Sequence, residues 1–215
     1  MASEGTAPAP RRGLFVAFEG GDSAGKSTQA RLLRDWLAEQ GRTVVVTREP
    51  GGTELGASIR GLVLHGGHVA PRAEALLFAA DRAHHVETLV RPALARGEDV
   101  LTDRYLDSSV AYQGAGRDLG AEEVRRLSLW ATGGLLPDLT VLLDVSEVQG
   151  RQRRGGLHDR LESEPDDFHH RVRRRFLDLA AAHPQRYLVL DAALPRHELA
   201  EAVRTRVGQL IGGRR

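Results

Sequence analysis

The sequence predicts an α/β fold of three layers, in which a parallel sheet of five strands is covered by helices on both faces. Five short apolar runs alternate along the chain with longer stretches that have helical patterns. The runs are rich in Val and Leu and contain few polar residues, which is typical of strands buried on both faces. The chain has 215 residues, enough to bury such a sheet in one compact domain.

The predicted strands and helices follow one another in order along the chain. The strands are residues 14–18, 43–47, 99–102, 139–145 and 186–190. The stretches between them carry apolar residues at helical spacing. We predict helices over residues 27–40, 72–96, 121–132, 146–154, 165–182 and 196–211. Gly41 ends the first helix, because glycine readily closes a helix in the left-handed conformation, and Pro92 lies near the end of the second.

The composition is that of a globular protein and excludes several kinds of site. The chain is 41% hydrophobic and 27% charged. It has no cysteine, which excludes disulfides, thiolate metal sites and cysteine nucleophiles and favours a cytoplasmic location. No apolar stretch reaches the roughly 20 residues of a membrane helix, and residues 1–12 lack the apolar core of a signal peptide. We expect a disordered tail over residues 1–12 and a single domain over residues 13–215, with no membrane partner.

The charge balance favours a small substrate. Thirty basic residues against 29 acidic ones give a net charge of +1, too little for the phosphate neutralisation that drives nucleic-acid binding. Lys26 is the only lysine, and the other 29 basic residues are arginines. Because a compact ammonium group is not interchangeable with a guanidinium, this lysine indicates a functional position.

That lysine lies in a glycine-rich segment between a predicted strand and a predicted helix. Residues 20–27 match the pattern G-x-x-x-x-G-K-[ST], which we call the phosphate loop. The loop amides and the helix N-terminus favour an anion, the lysine reaches β and γ phosphates, and the serine hydroxyl suits Mg²⁺. An ordinary glycine-rich turn is the alternative. The predicted triphosphate-binding residues are Gly20, Gly21, Asp22, Ser23, Ala24, Gly25, Lys26, Ser27 and Thr28.

A phosphate loop alone does not separate a kinase from other nucleotide-hydrolysing proteins. A GTPase switch of the usual kind reads guanine with an N-K-x-D segment. The chain has no asparagine and no second lysine, so it contains no such segment. A translocating ATPase stays open as an alternative.

Charged residues at the predicted strand ends indicate a second substrate. Asp22 places a carboxylate beside bound phosphates, where it is costly unless it serves a metal or a substrate hydroxyl. Asp103 and Arg104 follow the third strand and Arg48 follows the second, at the sheet edge where open α/β folds bind ligands. Both guanidinium groups suit a phosphate. The alternative for each arginine is a structural ion pair.

One helix face adds an aromatic ring and another guanidinium. Phe78 and Arg82 are four residues apart and therefore share a face of the helix predicted over residues 72–96. They are suited to stacking on a base and hydrogen-bonding to its edge. A core phenylalanine with a solvated arginine is the alternative.

These features occur together with several further motifs. The motifs are Phe18-Glu19-Gly20, Thr47-Arg48-Glu49-Pro50-Gly51-Gly52-Thr53, Leu77-Phe78-Ala79-Ala80-Asp81-Arg82, Asp103-Arg104-Tyr105, Ser108-Ser109, Ala111-Tyr112-Gln113-Gly114 and Pro137-Asp138-Leu139-Thr140. In this order they closely resemble the thymidylate kinase family, over about residues 14–203. The resemblance implies a P-loop NTPase fold and transfer of the γ-phosphoryl group of ATP to dTMP with Mg²⁺. It also implies a homodimer.

The resemblance assigns roles to the matching positions. Asp22 would bind the sugar 3′-hydroxyl or a metal-bound water, and Ser27 and Asp103 would hold Mg²⁺. Arg48 and Arg104 would bind the dTMP phosphate. The remaining acceptor residues would be Phe78 stacked on thymine, Arg82 at its O4, Ser108, Ser109 and Gln113 near the base edge, and Tyr112 against the sugar 2′ carbon, where it would exclude a ribose hydroxyl. Asp191 and Ala192 resemble the adenine-side loop.

An arginine cluster lies after the fourth predicted strand, in residues 150–162, which we call the lid. Phosphoryl transfer needs alignment and charge neutralisation more than covalent help from the protein. The family places its catalytic arginine in the phosphate loop or in the lid, and the loop position here is Ser23. The resemblance therefore implies a lid arginine, Arg153, with Arg151 and Arg154 binding ATP. A solvated basic helix end is the alternative, and Arg171 and residues 173–175 are expected on a surface face.

Two other functions are weighed against this one. The first is another nucleoside monophosphate kinase with a pocket for a different base. The second is a non-catalytic P-loop domain that binds nucleotide and acts through a partner. Lys26, Ser27, Asp22 and the lid arginines argue against the second.

Overall fold

A computed structural model describes residues 12–146, 149 and 159–213 and confirms the predicted fold class. The described residues form a five-stranded parallel sheet with the strand order β2-β3-β1-β4-β5. The strands are β1 (Phe15–Gly20), β2 (Val44–Arg48), β3 (Asp99–Asp103), β4 (Leu139–Asp144) and β5 (Tyr187–Asp191). Each lies within two residues of its predicted bounds.

The strand order creates a crevice at the carboxyl edge of the sheet. From the central strand β1, the chain runs to β2 and β3 on one side and to β4 and β5 on the other. Such a switch point opens a ligand-binding crevice beyond the strand ends. The register pairs Asp103 with both Phe18 and Arg48. The phosphate loop and the charged residues that end β2 and β3 therefore meet at one edge.

The helices cover both faces of this sheet. They are α1 (Lys26–Glu39), α2 (Glu54–Arg60), α3 (Pro71–His85), α4 (Arg91–Ala95), α5 (Leu106–Ser109), α6 (Ala121–Ala131), α7 (Asp166–Ala182) and α8 (Arg196–Gly212). Three π-helical segments, Gly61–His65, Val86–Val90 and Val110–Gly116, continue α2, α3 and α5. The helix predicted over residues 72–96 is thus three successive helical segments.

Alternation along β1 separates the core into two layers. Phe15 and Ala17 belong to the cluster packed against α3, α5 and α7. Val16 and Phe18 belong to the cluster packed against α1 and α8. Each face of the central strand is fully buried, which confirms the three-layer arrangement.

The sequence predictions omitted two helical runs, and several other predictions concern residues outside the described ranges. The helical runs over residues 54–65 and 106–116 were not predicted. The helix predicted over residues 146–154, most of the lid and the predicted tail up to residue 11 lie outside the described residues. Among the described helices, none is long and apolar enough to cross a membrane.

Candidate active site

The phosphate loop connects β1 to α1 and surrounds the lysine ammonium group. Gly20 has φ 128°, and a Cβ there would lie 2.3 Å from the Leu143 carbonyl oxygen, so only glycine fits. Lys26 is buried and donates hydrogen bonds from Nζ to the carbonyl oxygens of Gly20 at 3.2 Å and Gly21 at 2.7 Å. Burial, with Arg104 nearby, lowers the pKa of this ammonium group. The loop thus holds a desolvated cation that an anion would stabilise.

Two hard oxygen ligands lie together where α1 begins. Ser27 donates a hydrogen bond from Oγ to the Asp103 carboxylate across 2.5 Å. Within the described ranges, no group of three or more acidic, histidine or cysteine side chains could hold a metal. Two protein oxygens fit Mg²⁺, which usually keeps several waters and takes further oxygens from phosphates.

Asp22 of the phosphate loop forms an ion pair with Arg104, which follows β3. Arg104 has φ 70°, an unusual conformation for a non-glycine residue, and donates to the Gly20 carbonyl oxygen at 3.1 Å and Ser108 Oγ at 3.0 Å. The Tyr112 hydroxyl donates to Asp22 Oδ2 at 3.2 Å. Burial disfavours the Asp22 charge, but Arg104 and Lys26 outweigh it and lower the carboxyl pKa.

A cavity, which we call the acceptor cavity, opens beside this ion pair. Eight predicted acceptor-side residues line it, namely Asp22, Phe78, Arg82, Arg104, Ser108, Ser109, Tyr112 and Gln113. Arg48 instead lines a neighbouring open cavity together with Lys26, Ser27 and Asp103. Asp22 and Arg104 line both cavities, so they form the wall between the phosphate loop and the acceptor cavity.

Arg82 is not the solvated arginine of the alternative interpretation. Its side chain is buried and donates from Nε to Glu49 at 2.7 Å. Its terminal nitrogens donate to Ser109 Oγ and Ser128 Oγ at 3.2 Å and to the Tyr105 carbonyl oxygen at 3.1 Å. The guanidinium is therefore fixed in orientation at the wall of the acceptor cavity.

Comparisons with known proteins agree with this geometry. The family model described as thymidylate kinase matches residues 18–203. A thymidylate kinase from Clavibacter michiganensis is 66% identical over 203 residues, which cover 93% of this chain and 96% of that protein. A thymidylate kinase from Bifidobacterium longum is 57% identical, over 92% of this chain and 98% of that protein. A third, from Deinococcus radiodurans, is 53% identical, over 87% and 93%.

The chain belongs to the thymidylate kinase family. Its other site residues include several that the sequence patterns did not single out. Arg60, at the end of α2, lines both cavities and donates to the Pro50 carbonyl oxygen at 3.1 Å. Burial, with the charge of Arg48, lowers its guanidinium pKa. Thr53 is a sequence signal that could have indicated the helix ending at Arg60, because threonine is a favoured N-cap residue. It caps α2 by accepting a hydrogen bond from the Gly56 amide at 3.0 Å.

Glu19 lies behind the phosphate loop of this thymidylate kinase family member. Its carboxylate accepts hydrogen bonds from the amides of Tyr105 at 2.9 Å and Ser108 at 3.2 Å, and from Ser108 Oγ at 2.6 Å. Burial, with the charge of Asp107, raises the pKa of this carboxyl to about 8. The sequence presented Glu19 only as part of a motif, with no role of its own.

The other end of the sheet edge carries the predicted adenine-side loop. Asp191 accepts a hydrogen bond from the Ala193 amide at 2.8 Å, and the Ala192 amide donates to the Asp144 carbonyl oxygen at 2.8 Å. The first bond closes a turn at the end of β5, and the second joins that turn to the end of β4. Neither of the two described cavities that hold the predicted phosphate and acceptor residues is lined by Asp191 or Ala192.

Arg173, one of the arginines expected on a surface face of α7, has a side chain that is 39% exposed. This arginine forms a bidentate ion pair with Asp144, with distances of 2.7 and 2.9 Å, at the end of β4 beside the phosphate loop. Arg174, by contrast, pairs with Asp178 along an exposed face of α7. The lid arginines Arg151, Arg153 and Arg154 lie outside the described residues.

Proposed function

We propose that the protein transfers the γ-phosphoryl group of ATP to dTMP, giving dTDP and ADP. The observation that carries this proposal is the Asp22–Arg104 ion pair, which lies between the phosphate loop and the acceptor cavity. A nucleotide on either side of it would place donor and acceptor phosphates against a shared wall. The relatives described as thymidylate kinases support the same reaction.

On the donor side, the phosphate loop would bind the ATP phosphates. Burial disfavours the charge of the Lys26 ammonium group, and a phosphate bound beside it would stabilise that charge. Mg²⁺ held by Ser27 and Asp103 would neutralise charge on the donor phosphates. Asp191 and Ala192 would lie near adenine, a role that rests on the family resemblance alone.

On the acceptor side, three guanidinium groups would bind the dTMP phosphate. Arg48, Arg60 and Arg104 line the open cavity beside the phosphate loop, and guanidinium groups bind phosphate oxygens with two parallel hydrogen bonds. A phosphate oxygen of dTMP is already ionised, so the reaction needs no general base. The arginines instead align the attacking oxygen and balance the charge of the two substrates.

The deeper part of the acceptor cavity would bind the nucleoside. Phe78 would stack on thymine, while Arg82, Ser108, Ser109 and Gln113 would contact its polar edge. Tyr112 would occupy the space of a ribose 2′-hydroxyl, with Asp22 near the 3′-hydroxyl. A cavity that combines an aromatic face with polar edge groups supports a nucleobase as ligand.

We also propose that the lid supplies the catalytic arginine. Ser23 occupies the position of the phosphate loop where the family can carry its catalytic arginine. We therefore assign that role to Arg153 and assign ATP binding to Arg151 and Arg154. An arginine on the transferring group contributes about 10³ to 10⁵ in rate. Replacing Arg153 with alanine is expected to lower kcat far more than dTMP affinity, and a pure KM effect would move this role to another arginine.

An exposed apolar surface supports the proposal of a homodimer. Leu76 on α3 is 58% exposed and Trp130 on α6 is 81% exposed, and the two helices pack side by side. Large exposed apolar side chains on two packed helices favour association with a partner. A second copy of this chain is the partner that the resemblance implies. The cytoplasmic location stays a prediction.

ADP release measured with ATP and Mg²⁺ tests the reaction. The acceptors dTMP, dUMP, dCMP, dGMP, UMP and AMP are offered separately, and the Lys26→Ala variant serves as the blank. A preference for dTMP is expected. A preference for another monophosphate would keep the kinase reaction and overturn its specificity, and no turnover by folded protein that binds ATP would support the non-catalytic alternative.

A further inference from the structure

Glu74 is a fully buried carboxylate that lies behind the acceptor cavity on α3. It accepts hydrogen bonds from Gln113 Nε2 at 2.8 Å, from Arg117 at 3.3 Å and from Arg160 at 2.5 Å. Two guanidinium groups and the Gln113 amide donate to it, so both carboxylate oxygens serve as acceptors. Only the amide nitrogen of Gln113 can face it, so the amide oxygen is directed away from Glu74.

The Gln113 amide oxygen is therefore the group that this side chain can present to the acceptor cavity. Gln113 lines the cavity, as does Ser109, four residues earlier on the same helical run. Ser109 Oγ accepts hydrogen bonds from both terminal nitrogens of Arg82 at 3.2 Å. Its own hydrogen is then available to donate. The cavity wall presents a donor at Ser109 next to an acceptor at Gln113.

We propose that Glu74 is a positioning residue that makes the acceptor cavity select a pyrimidine with a hydrogen on N3. Thymine and uracil present an acceptor at O4 beside a donor at N3, which complements Ser109 and Gln113. Cytosine presents the reverse pattern, a donor at its amino group and an acceptor at N3. Glu74 acts through Gln113, since its charge fixes which end of the amide faces the base. This inference rests on the proposed function and names the selectivity of that site.

The test compares dTMP with dCMP as acceptors in variants of Glu74. In Glu74→Gln, residue 74 can donate as well as accept, so the Gln113 amide can adopt both orientations. The ratio of kcat/KM for dTMP over dCMP is expected to fall about tenfold, mainly through KM. One mismatched buried hydrogen bond weakens binding by about this factor. Glu74→Asp keeps an acceptor-only carboxylate and is expected to restore most of the ratio.

Glu164→Gln is the matched control. Arg117 pairs with Glu164 at 2.5 Å as well as with Glu74. The Glu164→Gln substitution therefore also removes a charged partner of Arg117 but leaves the Glu74–Gln113 bond. It is expected to keep the wild-type ratio. An unchanged ratio in Glu74→Gln, or an equal fall in Glu164→Gln, would show that Glu74 has only a structural role.

A double-mutant cycle tests whether Glu74 acts through Gln113. Gln113→Met is expected to lower the ratio by itself, and adding Glu74→Gln to it is expected to lower the ratio no further. If Glu74→Gln does not fold, Gln113→Met still tests the inference. A wild-type ratio in Gln113→Met would overturn it. Wild-type turnover of dTMP tests the proposed function separately. Where turnover is absent, calorimetric titration with dTMP and dCMP gives the same ratio as binding constants.

Discussion

Arg82 donates a hydrogen bond from Nε to the Glu49 carboxylate across 2.7 Å, and both side chains are almost completely buried. The second oxygen of Glu49 lies 2.8 Å from His85 Nδ1, and His85 Nε2 lies 2.7 Å from Thr47 Oγ1. This network joins the end of β2 to α3 behind the acceptor cavity. The guanidinium that faces the cavity is therefore neutralised and oriented by the protein itself.

Replacing Glu49 with glutamine is expected to destabilise the protein strongly. The substitution leaves the buried Arg82 guanidinium without its charged partner, and removal of one member of a buried ion pair costs about 3–5 kcal/mol. Urea unfolding followed by circular dichroism measures the change. Glu98→Gln is the control, since the Arg96–Glu98 pair lies at the surface, and it is expected to leave the unfolding midpoint unchanged. A loss below about 1 kcal/mol in Glu49→Gln would contradict this account of the network.

The sheet edge could be predicted from sequence because its signals are local. The phosphate loop, Arg48, Asp103 and Arg104 each follow a short apolar run, and parallel strands bring such ends together. The buried networks could not be predicted in this way. Arg82 and Glu49 are 33 residues apart, and Arg160 and Glu74 are 86 apart. Nothing in a local pattern indicates which distant carboxylate neutralises a buried arginine.

The helical run over residues 106–116 was missed for a different reason. Its sequence ends in glycines, which favour loops when judged by propensity alone. In the structure these glycines allow close packing. A Cβ at Gly114 would lie 2.8 Å from Ala121 Cα, and one at Gly116 would lie 2.5 Å from the Phe168 ring. Tertiary contacts with α6 and α7 therefore override the local preference.

Tyr112 is expected to set the preference for deoxyribose. Its ring is buried at the acceptor cavity, so Tyr112→Ala opens space beside the sugar. The ratio of kcat/KM for dTMP over its ribonucleotide counterpart is expected to fall at least about tenfold, since steric exclusion is lost. Tyr112→Phe keeps the ring and loses the hydroxyl, which donates to Asp22 and accepts from Arg104 at 3.3 Å. It is expected to retain the preference and to lower kcat modestly. If the alanine variant kept the preference, another group would exclude the ribose.

Association of two copies is expected to depend on the surface of α3 and α6 that carries the exposed side chains of Leu76 and Trp130. Leu76→Glu combined with Trp130→Glu places two charges on that surface, where burial in an interface would be costly. Size-exclusion chromatography with light scattering is expected to show a dimer for the wild type and a monomer for the double variant. Leu194→Glu, at an exposed apolar position after β5, is the control and is expected to stay dimeric. A wild-type monomer at micromolar concentration would contradict the proposed homodimer.

The buried carboxyl of Glu19 is expected to make stability fall as the pH rises. Burial, with the charge of Asp107, raises its pKa from 4.5 to about 8. A carboxyl with a raised pKa binds its proton more tightly in the folded state, so its stabilising contribution is complete below about pH 4.5 and is lost as the pH rises through about 8.

Glu19→Gln isolates this effect, because an amide oxygen can still accept from the Tyr105 and Ser108 amides but the group does not ionise. Between about pH 5 and about pH 9, the free energy of unfolding is expected to fall by at least about 1 kcal/mol more in the wild type than in Glu19→Gln. Urea unfolding at several pH values measures both profiles. Glu39→Gln removes an exposed carboxylate of α1 instead and is expected to follow the wild-type profile. Parallel profiles for the wild type and Glu19→Gln would mean that Glu19 is ionised throughout, held by its hydrogen bonds and Arg104 despite its burial.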